Sequence, residues 1–225
     1  MILSYQPRDP LRQNRHPWLL AGAILLIAIT GCSRTATPSP ANSPLAIAPA
    51  TQSPGWKKIE GNRATLWLPD SYEGGDVSQN LDAIVAKLKS FGPEFDSVGQ
   101  QIRQDPAAID LFAFDAKSGN PGTLTNVNVI PGASDLTVEK YIDALGQQLP
   151  KQFRLVDRQI VTLKGDRVGR MVTEFTLIGK TGKQLIYIIK DSNTIWTVSF
   201  TTSTSEFAQR LQTFEQSIRT FSARS

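Results

Sequence analysis

The sequence predicts an α+β fold: an antiparallel β-sheet of about six strands with helices on both faces. Three observations predict it. Four β-rich runs follow one another near the C-terminus, separated only by short turns, and short turns force antiparallel neighbours. One of these runs, Leu185–Lys190, is apolar on both of its faces, so both sides of the sheet need cover. Amphipathic helical spacing occurs both before and after the runs, so helices are available for each side.

The elements follow in order. Trp56–Glu60 and Arg63–Pro69 read as two short strands around Gly61-Asn62, a favoured hairpin turn pair. Ser71–Gly75, with Tyr72 in it, reads as a flexible loop marked by Gly74-Gly75. Leu81, Ile84, Val85, Leu88 and Phe91 recur at helical spacing, and Gly92-Pro93 stops that helix. Phe95, Val98 and Ile102 mark a second, weaker helix that ends at Asp105-Pro106. Ala108–Asp115 and Leu124–Ile130 read as strands, with the Ser-Gly-Asn-Pro-Gly stretch between them as a turn. Thr137 caps a helix that carries Val138, Tyr141, Ile142, Leu145 and Leu149. The four runs are Phe153–Leu163, Arg167–Ile178, Lys183–Lys190 and Thr194–Thr201. Ser203 and Glu206 form a capping box ahead of a last helix, where Phe207, Leu211, Phe214, Ile218 and Phe221 make one stripe. Burying that stripe contributes on the order of 7–15 kcal/mol as an upper bound, so the helix must dock on the sheet.

Everything before residue 56 concerns address. Residues 1–17 hold Arg8, Arg12 and Arg15 against Asp9, and an uncharged apolar run extends from Trp18 to Ile29. A basic start and a short apolar run describe a secretory signal; the run is shorter than the roughly 20 residues of a membrane span. Ile29-Thr30-Gly31-Cys32 is similar to a bacterial lipobox and holds the only cysteine of the chain. The resemblance implies cleavage between Gly31 and Cys32 and a diacylglyceryl thioether on Cys32. Two acyl chains hold a protein at a membrane where one does so only marginally. Residues 33–55 contain five prolines and one charge, with no apolar periodicity, and read as a tether. The expected organisation is thus a signal peptide (1–31), a lipidated cysteine and tether (32–55), and one domain (56–225).

Cleavage there removes the only histidine, His16. The remaining chain would have no histidine and no free thiol, which excludes Ser-His-Asp and Cys-His catalysis and His/Cys zinc or copper sites. It would keep 21 basic and 19 acidic residues, and a net charge of +2 gives no reason to expect nucleic-acid binding.

The candidate functional residues are few. Lys57, Lys58 and Arg63 form a small basic cluster next to the tether, suited to a headgroup or partner contact. Tyr72 sits in the expected loop, a usual place for contacts. Asn126 and Asn128 alternate, which puts two amides on one strand face where they can line a polar groove. Arg170 and Glu174 share a strand face, and Arg167 lies nearby. Asp110, Asp115, Asp135, Asp166 and Asp191 read as solvated turn acids; no calcium-loop spacing joins them. Gly179–Lys183 lacks the first glycine of a phosphate loop and reads as a hairpin turn. No catalytic residue, metal or cofactor is expected.

Three stretches, WKKIEGNRATLWLP, LKGDRVGRMVTEF and GKQLIYIIKDSNTIWTVSFTTSTSEFAQRLQTFEQSIRTF, together resemble the PsbP-like superfamily, which includes the extrinsic photosystem II subunit and many bacterial lipoproteins. The resemblance spans about residues 56–225. It implies an opening hairpin ending in a Leu-Pro step, a long antiparallel meander and a Phe-rich closing helix. The sequence departs from the photosystem II subunit at the opening motif, and the family's metal-binding histidines have no counterpart. The function expected is a non-catalytic accessory or assembly factor for a membrane protein complex, photosystem II being one, on the periplasmic face of a bacterial membrane or in a thylakoid lumen. The alternative is a lipoprotein that binds a small ligand or peptide in a groove between sheet and helix; a carboxylate enzyme is the third class.

Overall fold

The computed structural model describes residues 54–118, 124–177 and 179–224. The signal peptide, Cys32 and nearly all of the tether lie outside them, as does most of the turn expected after Lys117.

Two sheets form. β1 (Trp56–Glu60) and β2 (Ala64–Pro69) pair as the expected hairpin around residues 61–63, and β10 (Ser222–Ala223) joins the other edge of β2. The main sheet has seven strands: β3 (Tyr72–Asp76), β4 (Leu111–Asp115), β5 (Asn126–Ala133), β6 (Phe153–Leu163), β7 (Asp166–Leu177), β8 (Lys180–Asp191) and β9 (Thr194–Ser203). Their spatial order is β3-β4-β5-β9-β8-β7-β6, antiparallel throughout. The main sheet thus has seven strands where about six were expected, and the opening hairpin belongs to a separate small sheet.

The added strand is β3, which was expected to be a loop. Gly74 has φ 128°, and a Cβ there would lie 2.8 Å from Ala113 Cα. Glycine is thus required by close backbone approach inside a strand. The turn expected over Gly179–Gly182 is shorter: Leu177 already pairs with Lys180, and Lys180–Lys183 are strand residues.

Among the described residues, four α-helices cover the main sheet. α1 (Val77–Ser90) starts at Asp76, whose carboxylate accepts from Ser78 N–H at 2.8 Å; α2 (Asp96–Gln104) packs against it. α3 (Val138–Gln147) is capped by Thr137 as expected, and α4 (Phe207–Ile218) follows a turn in which Ser203 Oγ accepts from Glu206 N–H at 3.3 Å.

Alternation then sorts the core into three clusters. On one face, Val127, Val129, Leu185, Tyr187, Trp196, Val198 and Phe200 meet Phe207, Phe214, Ile218 and Phe221, together with Ile59, Leu66 and Leu68 of the small sheet. Phe200 and Phe214 stack with ring centres 5.0 Å apart. The opposite face carries two clusters that stay apart. Phe112, Phe114 and Ile130 pack with α1 and α2 residues. Met171, Ile186, Ile188 and Ile195 pack with α3. Helices thus cover both faces, as the doubly apolar run required. Among the described residues no helix is long and apolar enough to cross a membrane.

Candidate functional site

The two clusters on the helix α1–α3 face leave a seam between them, and the seam is polar. Cross-strand register writes it out. One row reads Phe114–Asn126–Thr201–Gln184–Thr173 and the next Phe112–Asn128–Ser199–Ile186–Met171. The outer members of each row belong to the apolar clusters or border them; the inner members are amides and hydroxyls. Asn126, Ser199, Thr201, Gln184 and Thr173 are all buried, and Asn128 is half-buried. Tyr141, on α3, packs against the apolar cluster at the border of the seam.

Part of this polarity is satisfied internally. Gln184 Nε2 donates to Thr201 Oγ1 at 3.1 Å, Thr173 Oγ1 donates to Gln184 Oε1 at 3.4 Å, and Asn126 Nδ2 donates to the Leu124 carbonyl at 2.9 Å. Three atoms remain unpaired: Asn126 Oδ1, Asn128 Oδ1 and Ser199 Oγ. All three sit on two adjacent strands, with Asn128 directly opposite Ser199. Most buried polar groups in proteins find a partner, and an unmet one costs about 1–3 kcal/mol. Three together mark a place where the fold leaves hydrogen-bonding capacity open. The two asparagines do share one face, as their alternation predicts. Ser199, Thr201, Gln184 and Thr173 were not singled out, although hydroxyls on the second face of Thr194–Thr201 were a signal.

Other expected site residues disperse. Tyr72 is 1% exposed and Asn126 also 1%, so neither belongs to a partner surface as the free chain stands. Tyr72 lies on a strand, under α4, where burial pushes its hydroxyl pKa upward. Lys57 and Lys58 are successive strand residues and point to opposite faces. Lys58 pairs with Glu60 at 2.8 Å. Arg63 is exposed but leans toward the Trp196 ring, its guanidinium 5.6 Å from the ring centre and its Nε 3.7 Å from Asp110. The three basic side chains therefore form no single patch.

The acids also differ from expectation. Asp110 and Asp115 are buried rather than solvated. Asp110 accepts from the N–H groups of Arg63 (2.8 Å) and Ala64 (2.9 Å) and so organises the β1–β2 loop. Burial pushes its carboxyl above the ordinary value, while the two N–H groups pull it back down. Asp115 pairs with Arg210 of α4 at 2.8 Å, and Arg210 also holds Glu206 at 2.5 Å. Near the other end of α4, Glu215 accepts from Tyr187 Oη and from Arg170 Nε (3.0 Å), and Arg170 reaches on to Asp157 at 2.9 Å. Arg170 and Glu174 share a face but not a contact; Glu174 pairs with Arg154 at 2.8 Å. Arg167 pairs with Glu139 of α3 at 2.8 Å. Among the described residues, then, the buried carboxylates serve to fasten α4 and the small sheet. No group of three or more Asp, Glu, His or Cys among them is placed to hold a metal ion.

No family model matches the chain, and no curated protein does. Solved structures do. The chain is similar to cyanobacterial PsbP (CyanoP) from Synechocystis sp. PCC 6803, at 12% identity and TM-score 0.48, over 80% of this chain and 99% of that one. It is similar to LpqN of Mycobacterium tuberculosis, described as involved in cell envelope biogenesis, at 12% identity and TM-score 0.46, over 76% and 91%. It is also similar to the Ran-binding protein Mog1p of Saccharomyces cerevisiae, at 11% identity and TM-score 0.46, over 75% and 95%. These likenesses, at 11–12% identity and TM-scores of 0.46–0.48, are of fold alone.

Proposed function

We propose that this chain is an exported, lipid-anchored binding domain that serves as an accessory or assembly factor of a membrane protein complex and catalyses no reaction. One observation carries the binding part. The seam places three unpaired atoms on two adjacent strands, in carboxamides and a hydroxyl, groups that recognise but do not transfer protons near neutral pH. The anchor and the location rest on the Ile29–Cys32 motif and the proline-rich tether. A tether of this composition reaches about 25 Å as a flexible coil and up to about 70 Å if extended, enough to let the domain meet a protein embedded in the same membrane. The resemblance of residues 56–225 to the PsbP-like superfamily makes photosystem II the first complex to test in a photosynthetic host.

The test is cross-linking of the tagged chain in intact cells, with membrane fractionation alongside. The proposal expects one recurrent set of membrane-complex subunits, attached to a chain that partitions with membranes and is released by Cys32→Ala. A chain that cross-links to no membrane protein would overturn the accessory role.

A further inference from the structure

We infer that the seam between the two helical layers is a binding site for a small uncharged molecule bearing at least two N–H or O–H donors, such as a carboxamide or a polyol. The inference rests on the binding reading above and names the chemistry of what is bound.

Three features define the ligand. First, the open positions are acceptors. Asn126 Oδ1 and Asn128 Oδ1 are carbonyl oxygens, and Ser199 Oγ can accept or donate. A ligand that offers only acceptors leaves both carbonyl oxygens unmet. Second, the seam holds no carboxylate. Its floor is Asn126, Asn128, Thr173, Gln184, Ser199 and Thr201. Among the described residues on this face, Arg167 pairs with Glu139 and Arg158 with Asp143, and Lys190 donates to the Ser134 and Leu136 carbonyls. An ammonium or guanidinium placed in the seam would be desolvated without a counter-charge, so neutral donors are favoured over cations. Third, the borders are apolar or aromatic. Phe112 and Phe114 flank it on one side, and Tyr141 and Leu145 of α3 and Leu149 just beyond it, all partly exposed, pack against the cluster on the other. A few placed polar groups within apolar walls is the usual composition of a small-molecule site.

Unpaired atoms also occur on the α4 side, at Tyr72 Oη, Trp196 Nε1 and Ser217 Oγ, but those come from three separate elements, whereas the seam's three lie on the adjacent strands β5 and β9. On the α4 face, Asp115–Arg210–Glu206 and Asp157–Arg170–Glu215–Tyr187 are closed networks with partners inside the fold. In the seam, the network Thr173–Gln184–Thr201 stops one strand short of Asn126 and two residues short of Ser199.

The experiment uses the mature chain from Cys32, purified in mild detergent and labelled with ¹⁵N. Acetamide and N-acetylglucosamine are the neutral donor probes; guanidinium and acetate are the cationic and acceptor-only comparisons. The site predicts saturable shifts of the Asn126 and Asn128 side-chain amide signals with one or both neutral probes, and none with acetate or guanidinium. The response to acetamide against the sugar tells a carboxamide ligand from a polyol. Ser199→Ala and Asn128→Leu provide the second readout. Each removes an unpaired group, so each raises the melting temperature of the unliganded chain by a few degrees while weakening the probe response tenfold or more. If the seam is instead filled by fixed buried water, neither substitution raises the melting temperature and no probe competes, which overturns the inference. Binding of guanidinium in preference to acetamide overturns it as well. Co-purification with a membrane complex is measured separately, so a silent seam beside an intact pull-down removes this site without removing the accessory role.

Discussion

Asp110→Asn offers a sharp perturbation because the residue is isosteric and its partners are fixed. The wild-type carboxylate accepts two backbone N–H groups, from Arg63 at 2.8 Å and Ala64 at 2.9 Å. The loop closes tightly on it: a Cβ at Gly61 would lie 2.7 Å from the Asp110 carbonyl oxygen and 2.9 Å from Leu111 Cβ. The carboxamide keeps one acceptor and turns an N–H₂ toward the other donor. A buried donor left unmet costs about 1–3 kcal/mol, and the surviving hydrogen bond loses its charge assistance, about another 1 kcal/mol. The Arg63 ion pair adds little, since that side chain is 53% exposed and 3.7 Å away. The sum is about 3 kcal/mol. For a domain of this size each kcal/mol moves the melting temperature by about 3 °C, so the variant should melt about 9 °C lower by circular dichroism at pH 7. The pH dependence is equally specific. Burial holds the folded carboxyl above its ordinary 3.8, so the folded state binds that proton more tightly than the unfolded chain. Wild-type stability at this site therefore grows as pH falls toward 3.8 and is lost as pH rises through the folded value. The gap to the Asn variant should persist or widen at pH 4.5. A gap under 2 °C at pH 7 refutes the assignment of Asp110 as the acceptor that organises the loop, and one that closes on acidification refutes the dominance of burial over the two N–H groups in setting its carboxyl.

Other outcomes follow from the same contacts. Glu215→Ala strands the buried Tyr187 hydroxyl and the Arg170 guanidinium, and should cost about 2–3 kcal/mol in urea unfolding, the partial exposure of both charges holding it below a fully buried pair; a loss under 0.5 kcal/mol would show α4 to be held by its phenylalanines alone. From Cys32 onward the tyrosines are Tyr72, Tyr141 and Tyr187, and burial raises the pKa of each, helped at Tyr187 by the Glu215 charge. Their contribution to stability is full below pH 10 and lost as pH rises above it. Absorbance at 295 nm should accordingly show at most the partly exposed Tyr141 ionising in the folded chain, the rest of the rise coming only with unfolding, whereas ionisation of all three near pH 10 in a still-folded chain contradicts the burial of Tyr72 and Tyr187. Ser199→Ala should raise the melting temperature of the unliganded chain, as the open seam requires.

Most of the fold was legible because the C-terminal meander obeys period two and its turns are short. Leu185–Ile189 announced a sheet covered on both faces, and the Phe207–Phe221 stripe announced the helix that covers one of them. What was missed has local causes. β3 is a strand of Tyr-Glu-Gly-Gly-Asp, where the glycines that signal a loop are required by close approach to β4. The small sheet owes its third strand to Ser222-Ala223, a two-residue pairing with no sequence periodicity. Asp110 and Asp115 looked like solvated acids because their partners, the Arg63–Ala64 backbone and Arg210, lie 46 or more residues away. The candidate site was half visible. Asn126 and Asn128 show their shared face by alternation, but Ser199 and Gln184 join them only through strand order, and nothing local sets β5 beside β9 rather than β6.

The account stands most directly on what this chain binds at a membrane. Tagged native protein drawn from mild-detergent extracts, beside Cys32→Ala, measures it by mass spectrometry of the bait and of everything held with it. The account predicts a diacylglyceryl cysteine on the wild type and a defined membrane complex with it, both lost from the variant. An unlipidated wild type that remains in the membrane as firmly as the variant, with no companion protein, would contradict it.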